Sequence, residues 1–141
     1  MTATGAGCAV LAVDLDHFKA INDREGHHAG DVALMTTAAR LAETVRAVDT
    51  VLRIGGDEFL VIAPDVASLA DAKRLAERLV AACDPPLEID GKPFTVSVSV
   101  GLAAAPWHGV SGTELLDAAD AALYDAKRSG RSRWAMARRA R

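Results

Sequence analysis

The sequence is poor in aromatic residues and in cysteine, and it has no long apolar segment. Aromatic residues make up 4% of the chain, and its two cysteines, Cys8 and Cys83, have the spacing of neither a metal site nor a redox motif. Two cysteines are also too few for a disulfide framework. No apolar run reaches the roughly 20 residues that span a membrane, and the first residues do not resemble a secretory signal. We therefore expect a cytoplasmic location and no membrane contact for this segment.

The remaining composition is that of a folded protein. Hydrophobic residues make up 50% of the 141 residues and charged residues 25%. This is enough apolar material for a buried core, and it excludes a disordered or collagen-like chain. The length suits one domain, and neither a Gly/Ser-rich linker nor an internal repeat divides it. We expect residues 1–141 to form a single domain.

Charge is distributed unevenly along the chain, although the net charge is only −3. Residues 127–141 include seven basic and no acidic residues, whereas nine basic and nineteen acidic residues precede them and give a balance of −10. A basic segment beside an acidic body indicates an anionic partner, with a solvated tail as the simpler alternative. Because Trp107, Trp134 and Tyr124 form no base-stacking pattern, we expect no nucleic-acid partner.

The hydrophobic pattern predicts alternating strands and helices. Short apolar or alternating runs indicate strands, and apolar residues at helical spacing between start and stop signals indicate helices. The predicted strands are residues 8–13, 50–54, 58–63, 87–89 and 94–103, with an edge strand at 133–137, and the predicted helices are residues 31–48, 68–83 and 112–129.

The order of these elements predicts the fold class. It favours an α/β protein of the α+β type, with a ferredoxin-like or palm-like, mostly antiparallel central sheet flanked by helices. Two hairpins are expected: Gly55-Gly56-Asp57 joins strands 50–54 and 58–63, and Asp90-Gly91 joins strands 87–89 and 94–103. The fold alone does not determine a function.

Carboxylates gather at the ends of two predicted strands. Asp14 follows the first strand, and Asp57 and Glu58 lie at the turn of the first hairpin. If these strands pair in antiparallel fashion, the three side chains lie together. Neighbouring carboxylates repel one another unless a cation neutralises them, and Mg²⁺ prefers oxygen ligands together with water and phosphate. The cluster predicts a metal and phosphate site, although Asp and Gly are also common in turns for purely structural reasons.

The same residues carry a family resemblance. Between Val10 and Arg133, the sequence resembles the GGDEF family of diguanylate cyclases through several ordered motifs. These motifs are Asp14-x-Asp-x-Phe-Lys-x-Ile-Asn-Asp-x-x-Gly-His-x-x-Gly-Asp31, Arg53-x-Gly-Gly-Asp-Glu-Phe59, Ser99-Val-Gly101 and Ala119-Asp-x-x-Leu-Tyr-x-Ala-Lys-x-x-Gly-Arg131. Their order and separation make a chance match very improbable.

The resemblance implies an activity and its partners. Two GTP molecules would condense into cyclic di-GMP and two pyrophosphates, with two Mg²⁺ or Mn²⁺ ions per site. Each domain would hold one GTP, so that turnover would need two facing domains, in a homodimer or through a fused or partner sensory domain. Protein groups would contribute mainly positioning and charge neutralisation.

The resemblance also implies metal-binding and catalytic residues. Asp14, the Leu15 carbonyl and Asp57 would bind the metal ions. Glu58 would be either a further ligand or the group that polarises the attacking 3′-hydroxyl, and the sequence does not distinguish these roles. Asp57 and Glu58 are therefore the expected catalytic residues.

Further residues would bind the nucleotide. Asn22 and Asp31 would recognise guanine, because a carboxylate accepts hydrogen bonds from its N1 and N2 hydrogens, which adenine cannot reproduce. The phosphates would be held by Lys19, Lys127 and Arg131, helped by backbone N–H groups around Phe18 and Lys19. Lys127 and Arg131 lie four residues apart at the end of the last predicted helix, which would place them on one face. Capping of the helix C-terminus is the alternative role for this pair.

A second motif resembles the product-inhibition site of the family. Arg46-Ala-Val-Asp49 matches Arg-x-x-Asp, and five residues separate Asp49 from Gly55. In this site the arginine would grip the phosphate and guanine of the product, with Arg74 and Arg78 on the next predicted helix as secondary contacts. A surface ion pair is the alternative interpretation.

The chain departs from the family upstream of the first strand. Only thirteen residues precede Asp14, and the helix and turn motif that family members carry there are missing, so a shortened catalytic domain is expected. A catalytically silent module that binds GTP or cyclic di-GMP is the alternative function, but the intact Asp14, Asp57 and Glu58 favour the enzyme. A cyclase that makes a cyclic mononucleotide is a third hypothesis, which the Asn22 and Asp31 pair argues against.

Overall fold

Five of the strands form one sheet, which helices cover on both faces. The computed structural model describes residues 7–138. In chain order, the elements are β1 (Gly7–Leu15), α1 (Phe18–Glu25), α2 (His27–Thr44), β2 (Thr50–Arg53), β3 (Glu58–Val66), α3 (Leu69–Ala82), β4 (Leu87–Ile89), β5 (Lys92–Phe94), β6 (Val98–Ala105), α4 (Gly112–Arg128) and β7 (Trp134–Met136).

The main sheet has the strand order β2-β3-β1-β6-β7. Neighbouring strands are antiparallel except for β6 and β7, which are parallel. The central strand β1 and its neighbour β6 are buried along almost their whole length because both faces of the sheet are covered. The predicted fold class, a mostly antiparallel sheet flanked by helices, is therefore confirmed.

Alternate side chains of β1 enter two separate apolar layers, as the two-residue period of a strand requires. Leu11 and Val13 pack in the larger core, beneath α2 and α3. Val10 and Ala12 pack on the other face with Leu115 and other residues of α4. The end of β1 is consequently held in place from both faces.

Helix α4 lies unusually close to β6. A Cβ on Gly101 would overlap the backbone oxygen of Ala119 and the backbone nitrogen of Leu123. The helix begins at a capping box in which Ser111 and Glu114 satisfy each other's backbone N–H groups. Gly101 therefore sets the distance at which α4 crosses the sheet, and hence the position of its last turn.

The first two helices differ from the predictions. α1 was not predicted; it has only eight residues and none of them is buried, so it leaves no apolar stripe in the sequence. α2 begins at His27 rather than at residue 31, and it ends at Thr44 rather than at residue 48. Gly26, with φ of 90°, separates the two helices.

The second predicted hairpin is wrong in part. The Asp90-Gly91 turn is present, with both residues at positive φ, but it joins β4 to the three-residue β5 in a separate two-stranded sheet. The predicted strand 94–103 is interrupted at residues 95–97, and β6 then enters the main sheet. The alternation of valines continues across this break, so the pattern could not locate it. The predicted edge strand is confirmed as β7, parallel to β6.

Two further expectations concern the ends and the surface of the chain. Within residues 7–138, none of the helices combines the length and apolar character that a membrane crossing requires. Of the basic residues of the expected solvated tail, Arg138 is exposed, whereas Arg139 and Arg141 lie outside the described residues.

Candidate functional site

The end of β1 and the β2–β3 turn form an acidic cluster of Asp14, Asp57 and Glu58. In the antiparallel pairing of β1 with β3, Asp14 lies opposite Glu58, and the Leu15 N–H donates to the Asp57 carbonyl at 3.1 Å. One carboxylate oxygen from each of the three residues lies within 4.8 Å of the others. The expected proximity of the three carboxylates is therefore confirmed, and strand register produces it.

Asp14 is the most buried member of the acidic cluster. Its side chain is 6% exposed, and its Oδ1 atom is buried without a hydrogen-bond partner. Burial raises the pKa of Asp14 from its usual 3.8 to about 6; the contact with Lys127 opposes this rise, and the charges of Asp57 and Glu58 add to it. Asp14 thus has an oxygen that lacks a partner and a charge that its surroundings only partly compensate.

These features suit a hard divalent cation. All three side chains offer carboxylate oxygens, the donors that Mg²⁺ and Mn²⁺ prefer. Asp14 is buried, Asp57 is half-buried and Glu58 is exposed, so one side of the cluster is open to water or to a ligand. Leu15, whose carbonyl is a predicted ligand, is the next residue along β1; its role stays a prediction.

Lys127 and Arg131 occupy different local structures. The Nζ atom of Lys127, in the last turn of α4, donates to Asp14 Oδ2. Helix α4 ends at Arg128, however, so the expectation that Arg131 shares a helical face with Lys127 is wrong. Arg131 lies in the following turn with φ of 63°. The physical reason is Gly130, at φ of 126°, which ends the helical path before Arg131.

The N-terminus of α1 follows directly from the acidic cluster. Its N-cap residue, His17, has a left-handed backbone and gives no side-chain cap. The first intrahelical bond recorded at this end is from Ile21 N–H to the His17 carbonyl, at 3.2 Å. The N–H groups of the first turn, including Phe18 and Lys19, have no intrahelical acceptor, as at any helix start. Such N–H groups suit an anion such as phosphate.

The predicted guanine-binding residues lie where α1 meets α2. A Cβ on Gly30 would overlap the side-chain oxygen of Asn22, so the absence of a side chain at Gly30 lets Asn22 lie against α2. Asp31 is the next residue of α2, and it is exposed. The structure thus brings Asn22 beside the residue that precedes Asp31, and the recognition of guanine stays a prediction.

A second charged cluster lies between the loop after α2 and helix α3. We call it the arginine pocket: a cavity of about 290 Å³ lined by Arg46, Asp49, Asp65, Val66, Ala67, Asp71, Arg74, Leu75 and Arg78. All four residues of the predicted product-inhibition site line it.

The arginines of this pocket already have acceptors. Arg46 Nη2 lies 2.8 Å from Asp49 Oδ1, Arg74 donates to Asp71, and Arg78 Nη2 donates to the Thr44 carbonyl at 2.6 Å. The ion pair of the alternative interpretation is thus present, but only Arg46 is at the surface, because the Asp49 side chain is fully buried. It is compatible with a binding role.

Sequence reasoning assigned no role to Asp16, which the structure places close to the site. Asp16 is 4% exposed, and its carboxylate accepts hydrogen bonds from the Ser97 and Ser99 hydroxyls and from the Ser132 N–H. The available signal was its place in the motif Asp14-x-Asp16. The partners lie more than 80 residues away in sequence, so their contact with Asp16 could not be read from the pattern.

Known proteins resemble this chain along most of its length. The family model "Diguanylate cyclase, GGDEF domain" matches residues 2–133. The bifunctional diguanylate cyclase/cyclic di-GMP phosphodiesterase MucR of Pseudomonas aeruginosa is 46% identical over 124 residues, which cover 88% of this chain and 18% of MucR. The response regulator PleD of Caulobacter vibrioides is 43% identical over 140 residues, which cover 93% of this chain and 29% of PleD. The chain thus spans less than a third of these relatives.

Solved structures of related domains have the same fold. The crystal structure of the GGDEF domain of TpbB from Pseudomonas aeruginosa matches with a TM-score of 0.92 and 42% identity, covering 94% of this chain and 83% of that one. The GGDEF domain of DgcB from Caulobacter crescentus, in complex with c-di-GMP, matches with a TM-score of 0.82 and 32% identity, covering 94% of this chain and 79% of that one. From its sequence motifs, its fold and these matches, the chain belongs to the GGDEF domain family of diguanylate cyclases.

Proposed function

We propose that this chain is a single catalytic domain that condenses two GTP molecules into cyclic di-GMP and two pyrophosphates. The observation that carries the proposal is the acidic cluster, where a buried Asp14 oxygen without a partner lies beside two more carboxylates. Such a cluster is costly without a cation, and a divalent cation beside phosphate-binding groups is what phosphoryl transfer needs.

The proposed cofactor is Mg²⁺ or Mn²⁺, with two ions per site. Asp14, the Leu15 carbonyl, Asp57 and Glu58 are the proposed ligands. When bound, the ions would supply charge neutralisation at the phosphates and lower the pKa of the attacking hydroxyl. Lys127 donates to Asp14 Oδ2, and its ammonium group would also supply a positive charge for a phosphate oxygen beside the acidic cluster.

Each condensation step forms one phosphodiester bond. The 3′-hydroxyl oxygen of one nucleotide attacks the α-phosphorus of the other, the hydroxyl loses its proton, and the bond from that phosphorus to the pyrophosphate oxygen breaks. The same step in the opposite direction closes the ring. Glu58, exposed at the start of β3, can either coordinate the metal or polarise a 3′-hydroxyl that approaches from outside, and we propose no choice between these roles.

The nucleotide would extend from the acidic cluster towards α1 and α2. Phe18 and Lys19 would offer backbone N–H groups, and the Lys19 side chain a charge, to the phosphates. Lys127 and Arg131 would approach the phosphates from the other side. Asn22 and Asp31 would recognise guanine, a pairing that disfavours adenine because a carboxylate would be left without a donor.

One domain supplies one acidic cluster, so both attacks need two facing copies. We propose a homodimer or a fused or partner sensory domain as the source of this arrangement. The crystal structure of the diguanylate cyclase SiaD from Pseudomonas aeruginosa in complex with its activator SiaC is an example of a protein partner for a related cyclase. The large share of MucR and PleD outside the matched segment supports a fused partner.

We also propose that cyclic di-GMP inhibits the enzyme by binding to the arginine pocket. Three arginines converge on one cavity there, and planar guanidinium groups suit both phosphate oxygens and the edge of guanine.

The test is a product assay on the purified chain, alone and fused to a dimerising tag. With GTP and Mg²⁺, followed by chromatography, we expect cyclic di-GMP from the tagged wild type and none from Asp57→Ala. The matched control is Asp84→Ala, which removes an exposed carboxylate outside both charged clusters and should retain activity. Undiminished synthesis by Asp57→Ala would refute the assignment. Unchanged GTP in every sample would favour the binding module, and cyclic GMP would favour the mononucleotide cyclase.

A further inference from the structure

The turn between α4 and β7 has an unfavourable backbone. Gly130, Arg131 and Ser132 have φ values of 126°, 63° and 50°. A positive φ is ordinary for glycine, but two consecutive residues with side chains in this region carry a conformational cost. Such a backbone persists only where surrounding contacts hold it.

Asp16 supplies one of these contacts. Its Oδ2 atom accepts the backbone N–H of Ser132 at 2.9 Å and the Ser97 hydroxyl at 2.6 Å. Its Oδ1 atom accepts the Ser99 hydroxyl at 2.7 Å. The Asp16 N–H also donates to the Ser97 carbonyl at 2.9 Å. The buried carboxylate is thus fully engaged, and both oxygens are oriented by the segment at the start of β6.

The contacts on either side of Arg131 complete the arrangement. The Arg131 N–H donates to the Ala126 carbonyl at 3.1 Å, and the Arg133 side chain donates to the Arg131 carbonyl at 3.0 Å. Ala126 immediately precedes Lys127, which contacts Asp14. The backbone of Arg131 is therefore fixed between α4 and Asp16. Asp16 follows Asp14, the most buried carboxylate of the acidic cluster, by two residues.

We propose that Asp16 is a positioning residue that holds the turn carrying Arg131 in the conformation that binds the nucleotide phosphates. The proposal rests on the proposed function, in which Arg131 contacts those phosphates. Asp16 acts through the backbone of Ser132 and touches neither metal nor nucleotide. The two neighbouring aspartates thereby have different roles. Asp14 is part of the acidic cluster, and Asp16 holds the turn that carries the positive charge of Arg131.

The test is a double-mutant cycle on nucleotide affinity. GTP binding in the presence of Mg²⁺ is measured by calorimetry for the wild type, Asp16→Ala, Arg131→Ala and the double variant. Each single variant should weaken GTP binding about tenfold. The double variant should be no weaker than Arg131→Ala, because the role of Asp16 disappears with the side chain it positions. Binding of guanosine, which lacks phosphate, should be unchanged in all four proteins when followed by NMR.

Conservative variants separate positioning from general folding. Asp16→Asn keeps an oxygen that can accept from the Ser132 N–H, and it should restore most of the GTP affinity. If Asp16→Ala does not fold, Ser97→Ala replaces it in the cycle, because it removes only one hydroxyl that orients Asp16. We then expect a smaller loss of GTP affinity. This loss should again be absent when Arg131 is already alanine.

The outcomes distinguish this proposal from the proposed function. If the losses of GTP affinity are additive in the double variant, or equal for GTP and guanosine, the positioning role of Asp16 is refuted. The proposal that the domain binds GTP would not be affected by this result. A wild type that does not bind GTP, or an Arg131→Ala variant that binds it normally, would refute the phosphate-binding assignment on which the proposal depends.

Discussion

The acidic cluster and the arginine pocket are both charged, but they are built differently. The acidic cluster stands on paired strands, so the backbone register of β1 and β3 sets the position of Asp14, Asp57 and Glu58. The arginine pocket is formed mainly by long side chains from a loop and from α3, and the end of β3 completes its lining. In the pocket, the Arg46 guanidinium and its Asp49 partner already neutralise each other.

This difference determines how each region responds to a ligand. Like charges are held together in the acidic cluster, and its burial raises the pKa of Asp14, so a cation relieves a cost that the fold itself imposes. The arginines of the pocket carry no such cost, and a ligand there must compete with the existing acceptors. Metal binding should therefore stabilise the fold strongly, whereas a ligand of the arginine pocket should mainly rearrange side chains.

The largest expected effect comes from the packing beneath the acidic cluster. Gly101→Ala places a methyl group where α4 backbone atoms already lie, and backbone cannot move aside as a flexible side chain can. We expect a loss of about 3 kcal/mol or more in the free energy of unfolding, measured by urea denaturation. Lys127 would move away from Asp14, so Mg²⁺ affinity should change as well.

Gly112→Ala is the matched control for this variant. Gly112 lies at the start of α4, the helix that packs on Gly101, and a Cβ there meets no atom within 4 Å, so the stability of Gly112→Ala should be close to that of the wild type. The arginine pocket lies on the opposite face of the sheet from α4, and its affinity for cyclic di-GMP should survive Gly101→Ala. A Gly101→Ala protein as stable as Gly112→Ala would contradict the close packing of α4 on β6.

A smaller effect, with a pH dependence, is expected at Asp14. Because its pKa in the folded protein, about 6, exceeds its usual value of 3.8, ionised Asp14 opposes folding at pH 7. This penalty shrinks as the pH falls through 6 and is absent below about 4. Asp14→Asn should therefore stabilise the metal-free protein at pH 7 by at most about 3 kcal/mol, with a smaller gain at pH 5, as followed by thermal unfolding.

The same variant should lose its response to metal. Mg²⁺ should raise the melting temperature of the wild type and leave that of Asp14→Asn almost unchanged. Asp84→Asn, at an exposed site, is the control for the loss of one negative charge. If Asp14→Asn is less stable than the wild type at pH 7 without metal, the account of Asp14 as a charge that Lys127 only partly compensates is wrong.

Local sequence patterns were sufficient to predict those strands, turns and helices whose signal lies within the element itself. Alternation and turn residues predicted β2, β3 and the β2–β3 turn, and antiparallel pairing then brought Asp14 to Glu58. The apolar stripe predicted α3 and α4. These features depend on neighbours within a few residues, which is the distance over which sequence patterns are informative.

Features that depend on distant contacts were not predictable. Helix α1 is short and has no buried residue. Its sequence therefore contains no periodic apolar pattern from which a helix could be predicted. The contact of Asp16 with Ser99 and Ser132 joins segments that only the folded sheet brings together. The predicted end of α4 was within one residue of the observed end, but the helical spacing rule that paired Lys127 with Arg131 does not apply beyond the turn at Gly130.

The smallest effect on stability is expected in the arginine pocket. The Arg46 side chain is 49% exposed, whereas that of Asp49 is fully buried. After Arg46→Ala, the backbone N–H of residue 46 would still donate to Asp49 Oδ2, so we expect this variant to lose about 1 kcal/mol of stability and to keep its Mg²⁺ response. Its affinity for cyclic di-GMP, measured by calorimetry, should fall at least tenfold, because phosphate and guanine lose a planar, charge-assisted donor. Turnover in the tagged dimer should then continue at product concentrations that stop the wild type. Arg53→Ala is the matched control, since this exposed arginine donates to the Gly55 and Gly56 carbonyls of its own turn and is not among the residues that line the arginine pocket. Unchanged product affinity in Arg46→Ala would leave the Arg46 and Asp49 pair as a structural contact, and the two charged regions would then differ in function as well as in construction.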